Sequence, residues 1–99
     1  MAIRHLVLRQ YKDGVTPQQI SELESRTRGL AEIPGILNVI TGPNLGLVPR
    51  SDGFDNVTLI DLESPDTLRD FIAHPIHKET AALSSQLVER SIILDIALD

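Results

Sequence analysis

Ser91-Ile92-Ile93-Leu94-Asp95-Ile96-Ala97-Leu98, read at a period of two, puts Ile92, Leu94, Ile96 and Leu98 on one face and Ile93, Asp95 and Ala97 on the other. A strand this apolar on both faces must be covered from both sides, and as the last element of the chain it fixes the order of everything before it. Ser64-Pro65 is a cap followed by a proline at the first helical position, and Leu68, Phe71 and Ile72 make the short amphipathic helix that follows. That helix must break near His74, because a residue preceding proline is pushed out of the α region. Pro75 then opens a second helical segment from Ile76 to about Val88.

The N-terminal half repeats the logic. Ile3, His5, Val7, Arg9 and Tyr11 alternate with Arg4, Leu6, Leu8 and Gln10, which predicts a strand over residues 3–11. Lys12-Asp13-Gly14 is turn chemistry, and Thr16-Pro17-Gln18-Gln19 is a capping box with proline at the first helical position. Ile20, Leu23, Thr27, Leu30 and Ala31 form the apolar stripe of the helix, and Pro34-Gly35 ends it. Ile36–Thr41 and Asn56–Leu62 are two further strands, apolar and β-branched. The intervening segment 42–53, with its glycines and prolines, is long enough for a lid and is read here as a surface excursion.

The order is βαββαβ in one domain spanning 1–99. This is the α+β, ferredoxin-like arrangement of a four-stranded antiparallel sheet with its helices on one face. Helices cover one face only, so the second apolar face calls for a partner, and the simplest is the same sheet of a second subunit. Two such sheets facing each other make a dimeric α/β barrel of eight strands, whose interior is filled by side chains or holds one small ligand. Composition supports the need for a partner. A chain of 99 residues with one Tyr, two Phe and no Trp builds its core from aliphatic side chains, which bury less area per residue than rings.

Other classes are disfavoured. The formal charge of −5, from 9 Lys plus Arg against 14 Asp plus Glu, is spread along the chain with no basic face, which argues against nucleic acid as a partner. No apolar run approaches the roughly 18 residues of a membrane span, and Met1–His5 lacks the features of a secretory signal, so a cytoplasmic location is expected. With no cysteine there are no disulfides, thiolate metal sites or cysteine nucleophiles.

Chemistry concentrates in Phe71-Ile72-Ala73-His74-Pro75-Ile76-His77, which carries two of the three histidines, the third being His5 in the first strand. Histidine exchanges protons near neutral pH. His77 reads either as a general acid-base in a pocket or as a structural residue of the helix start, and His5 either faces that pocket or is a hydrogen-bonded residue of a dimer core. Tyr11 is either a phenolic donor near the pocket or a rim aromatic. His74 caps or fixes the kink; a site of His5, His74 and His77 would suit zinc, but the kink spoils the spacing, so no metal is expected. Ser84 and Ser85 lack a nucleophile-elbow context. Asp61 and Asp95, in otherwise apolar strands, call for Arg4, Arg9 or a backbone donor as partner.

Ile-Arg-His-Leu-Val-Leu with Tyr-Lys-Asp-Gly, the Ile33-Pro34-Gly35 stop, Gly53-Phe54-Asp55 and the Phe71–His77 segment together resemble the stress-responsive A/B barrel family over nearly the whole chain. The resemblance implies a dimeric barrel without cofactor, with a ligand-sized cavity between sheet and helices in each subunit. It also implies, from one plant cyclase of the family, an aldol-type reaction using histidines that match His5 and His77. That relative carries a tyrosine where this chain has Phe71 and a histidine where it has Asn56. The expected site is therefore His77 and His5 as catalytic residues, with Tyr11, Asn56, Phe71 and His74 contacting substrate. The expected function is cofactor-independent cyclase, lyase or isomerase chemistry on a small apolar carbonyl or phenolic compound. The alternatives are a noncatalytic ligand-binding or stress-protective dimer, and a monooxygenase-like enzyme of the same architecture.

Overall fold

The alternation of Ile3–Tyr11 produces strand β1, with Ile3, His5 and Arg9 buried on the same side. The structure, a computed structural model, describes residues 1–98. Helix α1, Pro17–Gly29, starts on the capping box: Gln19 N–H donates to the Thr16 hydroxyl and Thr16 N–H to the Gln19 side chain. A short 3-10 turn, Leu30–Glu32, follows and ends before Gly35, whose φ of +88° suits a residue without a side chain. Strands β2 (Ile36–Pro43) and β3 (Asn56–Leu62) are antiparallel. Helix α2 is Pro65–Ala73, α3 is Pro75–Leu87, and β4 is Val88–Ala97.

Among the described residues the strands form one antiparallel sheet in the order β2-β3-β1-β4, the ferredoxin-like topology expected from the sequence. β1 is central, so its two faces belong to two different environments. Ile3, His5, Val7 and Arg9 pair with Leu62, Ile60, Thr58 and Asn56 on β3, and this face lies under the helices. There Ile3, Ile60 and Leu62 pack with Leu30, Ile33 and Phe71 into the apolar core. On the other face cross-strand register lines up Leu94, Leu6, Leu59 and Ile40 in one row across the sheet. Among the described residues no element covers that row, and Leu94 and Ile40 are 52% and 51% exposed.

Two boundaries differ from expectation. β2 runs on to Pro43, so the long connection is 44–55, and β4 begins at Val88 directly after α3. The connection overhangs the uncovered face of the sheet, where it walls a hollow of about 670 Å³ with Leu8, Val57 and Ile92. Arg90 anchors it, pairing with Asp52 at 3.2 Å and stacking 4.3 Å from the Phe54 ring. Among the described residues no helix is long and apolar enough to cross a membrane.

Candidate functional site

A cavity of about 240 Å³ separates α3 from the helix-side face of β1 and β4. Its origin is local. His74 takes an extended conformation, with φ −69° and ψ 138°, because it precedes Pro75, and the chain restarts as a new helix, α3. The His74 ring caps that helix, its Nδ1 accepting from Ile76 N–H at 3.1 Å. One turn into α3, His77 reaches the cavity wall, and His5 meets it from β1. Phe71, 1% exposed, stands between them, its ring centroid 4.6 Å from that of His77 and 6.1 Å from that of His5.

Hydrogen bonds fix the tautomer of both histidines. His77 Nδ1 lies 3.2 Å from the Ile72 carbonyl, which can only accept, so Nδ1 carries the proton and Nε2 keeps its lone pair. His5 Nδ1 lies 2.6 Å from Asp95 Oδ1 and donates to it, leaving Nε2 as the nitrogen open to a ligand. Burial lowers the pKa of His77 below the ordinary imidazole value, outweighing the upward pull of the hydrogen-bonded Ile72 carbonyl, and His5 adds a still smaller lowering. The lowered pKa favours the neutral ring, whose Nε2 is an acceptor. The Asp95 carboxylate accepts from His5 Nδ1 and so fixes the orientation of the ring.

For Asp95 the expected partner, Arg4, Arg9 or a backbone donor, is corrected: it pairs with His5. It sits directly opposite His5 in the β1–β4 register, so aligning the faces of the two strands would have found it. Asp61 does pair with Arg4, through two hydrogen bonds of 2.7 and 3.0 Å on the uncovered face. That hydrogen-bonded pair holds the Asp61 carboxyl below the usual range.

Three expected contacts fall elsewhere. Tyr11 is six residues beyond His5, about 20 Å along the strand, and lines a separate hollow with Ile20 and Glu24 under α1. Asn56 is fully buried, and its amide is spent on the Gly42 carbonyl at 2.9 Å, Thr41 at 3.2 Å and Glu24 at 3.4 Å. His74 is occupied by its cap. None of the three lines the His5–His77 cavity. With His74 turned away, no group of three or more His, Cys, Asp or Glu side chains among the described residues is arranged to hold a metal ion. The face carrying His5 meets the helices, so His5 is no part of a sheet-to-sheet interface.

Residues 3–98 match the Stress responsive A/B Barrel Domain, nearly the full length of the chain. The chain belongs to this family. Olivetolic acid cyclase of Cannabis sativa is 27% identical over 96 residues, covering 96% of this chain and 95% of the relative. A dimeric ferredoxin-like protein of unknown function from Thermobifida fusca superposes with a TM-score of 0.88 at 30% identity, covering 99% of this chain and 92% of that one. The hydroxynitrile lyase of Passiflora edulis shares the fold, with a TM-score of 0.89 at 24% identity over 99% of this chain and 94% of its own. The A/B barrel family thus includes proteins that act on small molecules, and solved neighbours of this chain are dimeric.

Proposed function

We propose that this protein is a homodimer that performs cofactor-independent acid-base chemistry on a small carbonyl or phenolic compound held between α3 and the sheet. The observation that carries the reading is two histidines with complementary settings on one cavity: His77 neutral with a free Nε2, His5 backed by Asp95. His77 Nε2 takes a proton next to a carbonyl and, as the imidazolium so formed, returns it to the oxygen that gains charge, while His5 orients the substrate, the sequence an enolisation, isomerisation or aldol-type closure requires. The likeness to olivetolic acid cyclase supports that chemistry, and the uncovered apolar face supports the dimer. Cavity volume sets the scale of the substrate. At about 240 Å³ it exceeds the ~150 Å³ that accommodates benzene and falls short of the ~300–1,000 Å³ of drug-sized sites, which suits a single ring with short substituents.

The test is a thermal-shift screen of phenols, β-polyketides and lactones, followed by turnover measurements on each compound that binds. His77→Ala is expected to lower turnover by about 100-fold or more with the fold intact. Turnover by His77→Ala at the wild-type rate refutes the catalytic assignment. Tight binding with no turnover by wild type would favour a noncatalytic binding protein.

A further inference from the structure

Among the described residues Arg9 is the one charged side chain with a buried nitrogen that has no hydrogen-bond partner. It is 94% buried, being 6% exposed, on the helix-side face of the central strand, and it lines the same cavity as His5 and His77. Its Nη1 makes two long hydrogen bonds, 3.3 Å to the Thr27 hydroxyl and 3.4 Å to that of Thr58, and its Nε has no partner. Among the described residues no carboxylate lies within ion-pair distance of it. Glu24 and Tyr11 are its electrostatic neighbours without touching it, and burial outweighs both, weakening its hold on the proton. A buried guanidinium is costly without an anion to accept from its fork of N–H donors. One water molecule would satisfy Nε but leave the charge uncompensated.

Strand and helix geometry place Arg9 at the opposite end of the cavity from the histidines. The Leu87 carbonyl accepts from Lys12 N–H, so the C-terminal end of α3 lies beside the end of β1, and α3 runs along the strand from His77 near His5 toward Ser84 near Arg9. His5 to Arg9 is four strand residues, about 13 Å, and His77 to Ser84 is seven helical residues, about 10.5 Å. Ser91 faces Arg9 directly in the β1–β4 register and brings a hydroxyl to the same end. The cavity is a slot lined by His5 and His77 toward one end and by Arg9, Ser84 and Ser91 toward the other.

We infer that Arg9 anchors a carboxylate of the ligand, so that the compounds taken by this site are small carboxylates whose far end is presented to His5 and His77. The inference rests on the proposed site and adds its substrate class. A planar carboxylate fits the guanidinium fork and supplies the missing charge, and a one-ring body fits the volume. Arg9 is then a binding residue, and His77 retains the proton chemistry.

The probes are benzoate and benzamide, alike in shape and different in charge, titrated into the full chain and followed by the NMR signals of the His5 and His77 rings and the Arg9 Nε–H. Benzoate is expected to shift all three and to bind at least about 10-fold more tightly than benzamide, the scale of a charge-assisted hydrogen bond. Arg9→Leu should bring the ratio near one, and Arg9→Lys should keep part of it. Equal binding of the two probes to wild type overturns the anchor while leaving the cavity a ligand site, and needs no variant. Failure of both probes to shift the cavity signals at their solubility limits overturns both the anchor and the site.

Discussion

Replacing Leu6 by glutamate separates the two states in which the sheet could exist. Leu6 stands in the middle of the row Leu94-Leu6-Leu59-Ile40, on the central strand and on the face that no helix covers among the described residues. In an isolated subunit it is already partly buried, so Leu6→Glu loses up to the ~1.5–3 kcal/mol that full burial contributes, with up to ~1 kcal/mol more from strand preference. Against the ~5–15 kcal/mol of a typical domain, the subunit stays folded. In a sheet-to-sheet dimer the two-fold axis brings both glutamates into an apolar interface. At several kcal/mol per unpaired buried ion, two copies cost on the order of 6 kcal/mol or more, about 10⁴-fold in dissociation constant. Wild type is expected to sediment at tens of micromolar with about twice the 10.9 kDa chain mass, and Leu6→Glu as a folded species of the chain mass. A wild-type monomer under these conditions, or a variant that associates as tightly as wild type, refutes the argument.

The lowered pKa of His77 gives a second expectation: its ring should titrate below the ordinary value of about 6.5 in a pH series by NMR, and a value at or above it would contradict the burial argument. The linked stability effect has a definite sign. The unfolded chain binds this proton more readily, so stability should fall as pH drops through about 6.5 toward the folded value, and His77→Gln should flatten that part of a urea-melt pH profile. Gly35→Ala should destabilise by more than 1 kcal/mol, because φ of +88° disfavours a side chain and a Cβ there would collide with the Thr67 methyl; an unchanged melting temperature would refute it.

The elements were legible because each is marked chemically at its ends. Thr16-Pro17 and Ser64-Pro65 cap two helices, Gly35 stops the first, and the two-residue period of β1 survives without a break, so its boundaries are those expected. β4 was the exception. Val88-Glu89-Arg90 carries no turn residue and no apolar alternation, and only its pairing with Tyr11, Gln10 and their neighbours makes it strand. The same limit applies to the site. His5 and His77 announce themselves by residue type, whereas Asp95 acquires a role through cross-strand register and Arg9 through the absence of a partner, neither of which is a property of local sequence. Tyr11 and Asn56 lie on the expected side of the sheet, and position along the strands and a full set of hydrogen bonds remove them from the cavity.

The alternation of β1 and β4 also divides the labour of the sheet. Asp95 and Leu94 are chain neighbours, yet one holds the His5 ring beneath α3 and the other lies in the uncovered apolar row. His5 and Leu6 stand in the same relation on β1. A slip of one residue in this register would exchange the faces, exposing the histidine and burying the leucines, so the apolar row that calls for a second subunit also pins the pairing that brings Asp95 to His5. Association and chemistry are thereby coupled through register while remaining on opposite sides of the sheet. A substitution confined to the uncovered face, such as Leu6→Glu, should therefore alter sedimentation and leave the titration of His77 where it was. The two properties would move together only if subunit contact were needed to hold β4 against β1. The unbroken β1–β4 pairing from Ile3–Ala97 to Gln10–Arg90, made within one chain, argues that it is not.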